Sequence, residues 1–162
     1  MSSDIERAVH ALALDGAAAD VVRALAAANI AHLLLKGPAM AHWLYAEDPS
    51  SRTYTDVDLL VSPADFEAAE DVIAGMGFLR PVSGYRDRIE SWVPESAWER
   101  PGAPPTFVDL HRGFHGVPVG AWDSFWTVMD EQTALIEVGG AHMRIPDAAG
   151  CALIAALHES AA

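Results

Sequence analysis

The segment TYTDVDLLV, residues 53–61, combines a strand-like pattern with two acidic residues. Its β-branched and apolar residues are typical of a strand, and we predict one over residues 54–61. Two carboxylates, Asp56 and Asp58, nevertheless lie inside it. Aspartate is depleted in strands, and a buried carboxylate is costly unless a partner balances it. The two aspartates therefore indicate a role other than packing.

Strand geometry places both aspartates on one face of the predicted strand. Successive side chains alternate, so Asp56 and Asp58 point the same way, with Cβ atoms about 6.5–7 Å apart. Two carboxylates on one face repel each other unless a cation lies between them. Mg²⁺ is the usual cation, because it is held by one or two carboxylates together with phosphate oxygens. The pair is therefore interpreted as half of a metal site.

A third carboxylate, Asp109, lies in TFVDLH, a second predicted strand at residues 106–111. If this strand lies beside the first, three carboxylates converge on one point. Such a cluster is what a two-metal site for in-line phosphoryl transfer requires. His111 alternates onto the Asp109 face, where it either orients an acceptor or acts as a base; the alternative is a partly buried histidine bonded to backbone.

A phosphate site is predicted where the buried strand HLLLKG, residues 32–37, meets a helix at residues 38–46. Gly37 allows a ligand to approach the backbone, and a helix N-terminus favours anions. Lys36 adds a positive charge, and Arg52 is placed to clamp a phosphate with two hydrogen bonds. The alternatives are a solvent-exposed strand end for Lys36 and a surface ion pair for Arg52.

The rest of the chain predicts an α/β or α+β fold, a mixed sheet flanked by helices, because strands and helices alternate early. Asp15-Gly16 is interpreted as a break between two helices, and Gly139-Gly140 as a hairpin turn. The predicted helices are residues 4–14, 17–29, 63–76 and 122–129 and one from Asp147 onward; the remaining predicted strands are residues 90–95 and the two arms of a hairpin over 133–146.

Composition excludes several classes of protein. The 162 residues predict a single domain, 1–162, and carry 10 Lys and Arg against 23 Asp and Glu, a net charge of −13. Without a basic run, bulk nucleic-acid binding is not expected. No apolar run reaches the ~18–20 residues of a membrane span. The acidic N-terminus is unlike a signal peptide, and the single Cys151 favours a reducing compartment, so we expect a cytoplasmic protein.

The segments LLLKGPAMAHWLY, RTYTDVDLLV and FVDLH together resemble the poorly characterised nucleotidyltransferase family within the DNA polymerase beta superfamily. The resemblance covers roughly residues 30–112 well and the C-terminal segment more loosely. It implies a nucleotidyltransferase-like fold and transfer from a nucleoside triphosphate with two Mg²⁺ (or Mn²⁺) ions. By this resemblance Asp56 and Asp58 bind metal, Asp109 is the third acid, and the turn before the second helix receives phosphate.

Three departures from the wider superfamily accompany the resemblance. The superfamily usually has Gly-Ser at the phosphate turn, whereas this chain has Lys36-Gly37-Pro38, so phosphate contact must rely on Lys36, Arg52 and backbone. The spacing from Gly37 to Asp56 is longer than the common pattern. The chain also stops inside a predicted helix where relatives continue into a helical region, so we expect either a short form or a truncated chain.

The leading interpretation is a metal-dependent nucleotidyltransferase that moves a nucleotide from a nucleoside triphosphate to an acceptor: a small molecule, a protein or an RNA end. One alternative is a non-catalytic module of the same fold that binds a nucleotide or a partner. Another is a metal-dependent phosphohydrolase with water as the acceptor, which needs the same three acids. The sequence leaves all three open.

Overall fold

A four-stranded mixed sheet is the scaffold of the protein, as described by a computed structural model for residues 2–45, 47, 53–80 and 93–160. Its strands lie in the order β1-β2-β4-β3. β2 and β4 are parallel, and the other two pairings are antiparallel. The strands are β1 His32–Leu34, β2 Val57–Val61, β3 Glu95–Arg100 and β4 Thr106–His111. The predicted mixed sheet is therefore confirmed.

Helices cover both faces of this sheet, and a separate hairpin lies against β1. The helices are α1 Ser2–Ala27, α2 Gly37–Leu44, α3 Phe66–Gly75, α4 Trp122–Glu131 and α5 Ala148–Ser160. The hairpin consists of β5 Thr133–Val138 and β6 Ala141–Pro146, joined at Gly139 and Gly140 as predicted. β6 contacts β1, which extends the apolar layer beyond the main sheet. Among the described residues, no helix has both the length and the apolarity needed to cross a membrane.

Two apolar clusters pack against the two faces of the sheet. The larger one joins α1 and α3 to side chains such as Leu59 of β2 and Leu110 of β4. The smaller one joins α4 and α5 to Leu60 and Phe114 on the opposite face. All five residues of β2 are buried. Because side chains alternate along a strand, Asp58 lies on the same face as Leu60. The charged site described below therefore lies beside the smaller cluster.

The prediction of two N-terminal helices separated at Asp15-Gly16 is wrong, because one helix runs through both residues. Leu14 and Ala17, on either side of the glycine, are completely buried in the larger cluster. Packing of a continuous helical face therefore outweighs the intrinsic helix cost of one glycine, which is about 1 kcal/mol.

Two predicted strands begin elsewhere than expected. β2 begins at Val57, so Asp56 lies in the bend before the strand rather than inside it. The strand predicted for residues 90–95 overlaps β3 only at Glu95, and its residues 90–92 lie outside the described part of the chain. β4, α4, the hairpin and the helix after Ser62 agree with the predictions; Ser62 accepts a hydrogen bond from the Asp65 backbone N–H, as a capping residue does.

Candidate active site

Asp58 and Asp109 are the centre of the site, because they stand opposite each other in the parallel pair β2 and β4. Partners in parallel strands share a face of the sheet, so both carboxylates project to the same side. The two strands thus lie side by side, which is the condition under which the carboxylates were expected to converge. His111 follows Asp109 on the same face, and Glu95 of β3 pairs in register with His111.

Asp58 is a buried carboxylate with two cationic partners. Its side chain is 2% exposed, and its Oδ1 accepts hydrogen bonds from Lys36 Nζ at 2.7 Å and from His111 Nε2 at 3.0 Å. Burial by itself raises the pKa of Asp58. The hydrogen bonds and charges of His111 and Lys36 outweigh burial and lower the pKa below its ordinary value, which keeps this carboxylate ionised.

His111 lies between two carboxylates. Its Nδ1 is 3.2 Å from Glu95 Oε2, an ion pair without the geometry of a regular hydrogen bond. Burial alone lowers the pKa of His111, but Asp58 and Glu95 together raise it to about 8. The ring also stacks on Phe114, with centroids 5.0 Å apart. His111 is therefore an imidazolium at neutral pH whose orientation is held on two sides.

Glu95 is a member of this network that the sequence did not reveal. The interaction of its carboxylate with His111 lowers the pKa of Glu95 more than burial raises it. The only available signal was a glutamate in a segment without clear periodicity. Its partnership with His111 depends on the antiparallel register of β3 and β4, which no local pattern encodes.

The negative charges of Asp56 and Asp109 are less well balanced by nearby cations than the charge of Asp58 is. Burial and the neighbouring charge of Asp58 raise the pKa of Asp56. The same two causes, in the same order, raise the pKa of Asp109 to about 6. Both residues line one hollow of about 490 Å³ at the start of β2 and β4. The three predicted acids are thus neighbours, and each raised pKa reflects burial first and the concentration of negative charge second.

The chemistry of the three acids fits a divalent cation. Carboxylate oxygens are ligands that Mg²⁺ prefers, and a cation beside Asp56 and Asp109 would relieve the repulsion that raises both pKa values. In the described structure Lys36 and His111 are the cations that balance Asp58. Among the described residues, no group of three or more His, Cys, Asp or Glu side chains is already arranged to hold a metal ion.

The turn at Lys36 and Gly37 joins β1 to α2 in an unusual backbone conformation. Lys36 has φ 39° and Gly37 has φ 23°, both in the left-handed region that favours glycine. A Cβ on Gly37 would lie 3.1 Å from Cγ of Tyr54, so the close packing of the Tyr54 ring also favours glycine there. Lys36, the only lysine of the chain, turns its side chain back to Asp58 and is partly exposed. Arg52, the other predicted phosphate ligand, lies outside the described residues.

Comparison with known proteins identifies a family for this chain. No curated protein matches the chain. A family model described as an uncharacterised nucleotidyltransferase matches residues 3–161, which is nearly the whole sequence. The resemblance inferred from three short segments is therefore confirmed over a much longer range. The chain belongs to this family of uncharacterised nucleotidyltransferases.

Proposed function

We propose that this protein is a metal-dependent nucleotidyltransferase that moves a nucleotide from a nucleoside triphosphate to an acceptor hydroxyl. The observation that carries the proposal is the meeting of Asp58 and Asp109 on neighbouring strands, with Asp56 facing the same hollow as Asp109. Carboxylates gathered in this way are the ligand set of phosphoryl-transfer sites. Membership of the family supplies the reaction class.

The three acids would hold the metal. Asp56, Asp58 and Asp109 are the proposed ligands for Mg²⁺ or Mn²⁺, which would neutralise charge on the triphosphate during transfer. Asp58 is the acid best kept ionised, because Lys36 and His111 both donate to its Oδ1. His111 is 2% exposed, so in this proposal it acts through Asp58 rather than on the substrate.

Asp109 is the proposed base for the acceptor. In the metal-free protein the pKa of Asp109 is about 6, so its carboxylate is mostly ionised at pH 7.5. A carboxylate that is ionised at the working pH can accept the proton of a hydroxyl during transfer. Its oxygens face the hollow that it shares with Asp56, where an acceptor has room.

The phosphates of the donor are assigned to the turn at Lys36 and Gly37. Lys36 carries a partly exposed ammonium group next to Asp58, and the N-terminus of α2 begins at Gly37. A cation and a helix N-terminus both favour phosphate oxygens. Arg52 stays a predicted phosphate ligand.

Incubation with each labelled nucleoside triphosphate, Mg²⁺ or Mn²⁺ and a cell extract tests the proposal. We expect label on one class of extract molecule with the wild type and none with Asp109→Asn. Asp123→Asn is the matched control, because Asp123 is an exposed aspartate on α4. Release of phosphate or pyrophosphate with no labelled acceptor would support the phosphohydrolase alternative instead. Equal labelling by Asp109→Asn would contradict the role given to Asp109.

A further inference from the structure

A second cavity, the α1–α2 cavity, lies next to the turn that is assigned to the phosphates. Its volume is about 610 Å³, and it is bounded by α1, α2, Tyr54 and the hairpin of β5 and β6. Its described lining is mostly apolar and includes Ala11, Ala41, Ile136 and Val138. A mostly apolar cavity of this size with a few polar groups is typical of a small-molecule site.

Helix α2 connects the α1–α2 cavity to the phosphate turn. Pro38, Ala41 and His42 line the cavity and lie on one face of the helix, because residues three or four apart are neighbours on a helix surface. Pro38 directly follows Gly37, where α2 begins. From Pro38 to His42 this face extends about 6 Å along the helix axis. A nucleotide whose phosphates lie at the helix N-terminus would therefore place its base in the cavity.

Tyr54 links the phosphate turn to the α1 wall of the cavity. Its ring packs against Gly37, and its hydroxyl donates a hydrogen bond to Oδ1 of Asp15 on α1. Burial raises the pKa of Asp15, so hydrogen bonds to its ionised form are favourable. A carboxylate has about four acceptor sites, and the Tyr54 hydroxyl takes one of them. Asp15 is thus a partly buried acceptor, oriented by Tyr54, with acceptor sites left for a ligand.

The charges around the α1–α2 cavity orient the nucleotide. Asp15 and Glu137 line the cavity, and neither is a proposed metal ligand, so their charges stay when metal is bound. They would repel phosphate oxygens, whereas Lys36 and a bound divalent cation would attract those oxygens at the turn. The uncharged base therefore suits the cavity. The separate hollow lined by Asp109, His10 and Phe107 is left for the acceptor.

The hydrogen-bonding edge of the base that meets Asp15 determines which base fits. An ionised carboxylate offers two acceptor oxygens side by side and no donor. Guanine has two donors side by side, the ring N1–H and the 2-amino group. Adenine and cytosine have an acceptor nitrogen next to their amino group, and its lone pair would face a carboxylate oxygen. Uracil has one N–H between two carbonyl oxygens. Among these four bases, guanine is therefore the one whose donors match Asp15.

We propose that the α1–α2 cavity binds the base of the donor nucleotide, and that Asp15 selects guanine by accepting hydrogen bonds from its N1–H and 2-amino groups. The base lies against the apolar lining, Tyr54 holds the Asp15 carboxylate in position, and the phosphates reach the turn at Lys36 and Gly37. This inference rests on the proposed function, because it names the donor that is used at the same site.

Calorimetric titration of the whole chain in Mg²⁺ buffer tests the base preference. The probes are the β,γ-imido analogues of GTP, ATP, CTP and UTP, together with that of ITP, which lacks only the 2-amino group of guanine. We expect the GTP analogue to bind about 10- to 100-fold more tightly than the ATP, CTP and UTP analogues, the discrimination of two hydrogen bonds to one base. The ITP analogue should fall between them. Equal affinities, or tighter binding of another base, would overturn the inference.

Asp15→Asn tests the assigned contact. The amide replaces one acceptor by a donor, so the affinity for the GTP analogue should fall about 10-fold or more, while the affinity for the ATP analogue should not fall. Tyr54→Phe keeps the ring against Gly37 but loses the hydrogen bond to Asp15, and should reduce the preference for guanine. Asp71→Asn is the matched control, because Asp71 is an exposed helical aspartate outside the cavity. An unchanged preference in Asp15→Asn, or an equal loss for every analogue, would overturn the role of Asp15.

Ala11→Leu locates the base independently of Asp15. The larger side chain narrows the α1–α2 cavity, so every analogue should bind more weakly than to wild type. This variant keeps the inference testable if Asp15→Asn folds poorly. Unchanged affinities in Ala11→Leu would mean that the base lies outside the cavity, and the inference would be wrong.

Guanosine, which has no phosphates, separates this inference from the proposed function. Saturation-transfer NMR should detect guanosine binding to wild type and weaker binding to Asp15→Asn. If guanosine binds through Asp15 but the triphosphate analogue in Mg²⁺ binds no more tightly, the proposed function fails and the cavity assignment stands. If all triphosphate analogues bind equally well and guanosine does not bind, the inference fails and the proposed function stands.

Discussion

Asp58 and Asp109 stand opposite each other in neighbouring parallel strands, yet their pKa values shift in opposite directions. Lys36 and His111 donate to Asp58 and overcome the effect of burial. Asp109 is also partly buried, and the charge of Asp58 raises its pKa further, to about 6. Two carboxylates with opposed environments are suited to different tasks. In the proposed reaction Asp58 is a permanent anion and Asp109 exchanges a proton.

The ionised Asp109 should cost stability in the free protein. A carboxylate whose pKa is raised from 3.8 to about 6 contributes most to stability below pH 3.8, and this contribution is lost as the pH rises through 6. At pH 7.5 the free energy of unfolding of the neutral variant Asp109→Asn should therefore be about 1–2 kcal/mol higher than that of wild type. Urea denaturation in EDTA measures this difference. The variant should also lose transfer activity. A variant less stable than wild type would contradict the assigned charge repulsion.

The network around His111 should make stability fall at alkaline pH. The pKa of His111 is raised from 6.5 to about 8, so its contribution is fully present below pH 6.5 and is lost as the pH rises through 8. We expect the free energy of unfolding to fall by about 1–2 kcal/mol between pH 6.5 and 8.5. His111→Gln, compared in the same metal-free buffer by urea denaturation, should show a flatter pH dependence. Identical slopes would mean that His111 is not an imidazolium in the folded state.

Metal and nucleotide together should stabilise the protein, because binding relieves the repulsion among the acids. We expect Mg²⁺ or Mn²⁺ with a non-hydrolysable triphosphate to raise the melting temperature of wild type. Asp56→Asn should remove most of this rise and leave the fold of the free protein intact, since Asp56 lies in the bend before β2. Differential scanning fluorimetry makes the comparison.

Asp123→Asn is again the control variant for the metal experiment, because Asp123 is an exposed aspartate. Asp58→Asn is expected to abolish the rise as well, but it also leaves the charges of Lys36 and His111 without their shared carboxylate. Its loss of stability in the free protein would obscure the metal effect. A full temperature rise in Asp56→Asn would remove Asp56 from the proposed ligand set.

Lys36→Ala should weaken triphosphate binding by about 1–3 kcal/mol, the loss of one charge-assisted contact. Calorimetry with Mg²⁺ present measures the affinity, and Arg23→Ala serves as a control because Arg23 is an exposed cation on α1. Metal binding without nucleotide should change much less, since Lys36 is not a proposed metal ligand. If Lys36→Ala binds triphosphate as tightly as wild type, Lys36 serves only to balance Asp58, and Arg52 becomes the main candidate for phosphate contact.

Local patterns predicted the parts of the fold whose periodicity was unambiguous. β4, α4 and the hairpin at Gly139 and Gly140 were predicted correctly because apolar spacing and glycine turns are properties of a few neighbouring residues. The break at Gly16 was wrong for the opposite reason. Whether a glycine ends a helix depends on what the residues around it bury, and Leu14 and Ala17 are buried by distant parts of the chain.

The residue types of the site can be identified from the amino-acid sequence alone: two aspartates at the start of one buried strand, a third in another, and a lysine before a glycine turn. Their spatial relationships follow from the way in which the strands and helices pack. The register of β2 on β4 sets Asp109 against Asp58, and the register of β3 on β4 brings Glu95 to His111. The packing of α1 adds His10 to the hollow beside Phe107. Hydrogen bonds and charge repulsion act over a few ångströms in space, between residues as far apart in the chain as Lys36 and Asp58 or Asp58 and His111, so no local pattern could reveal them.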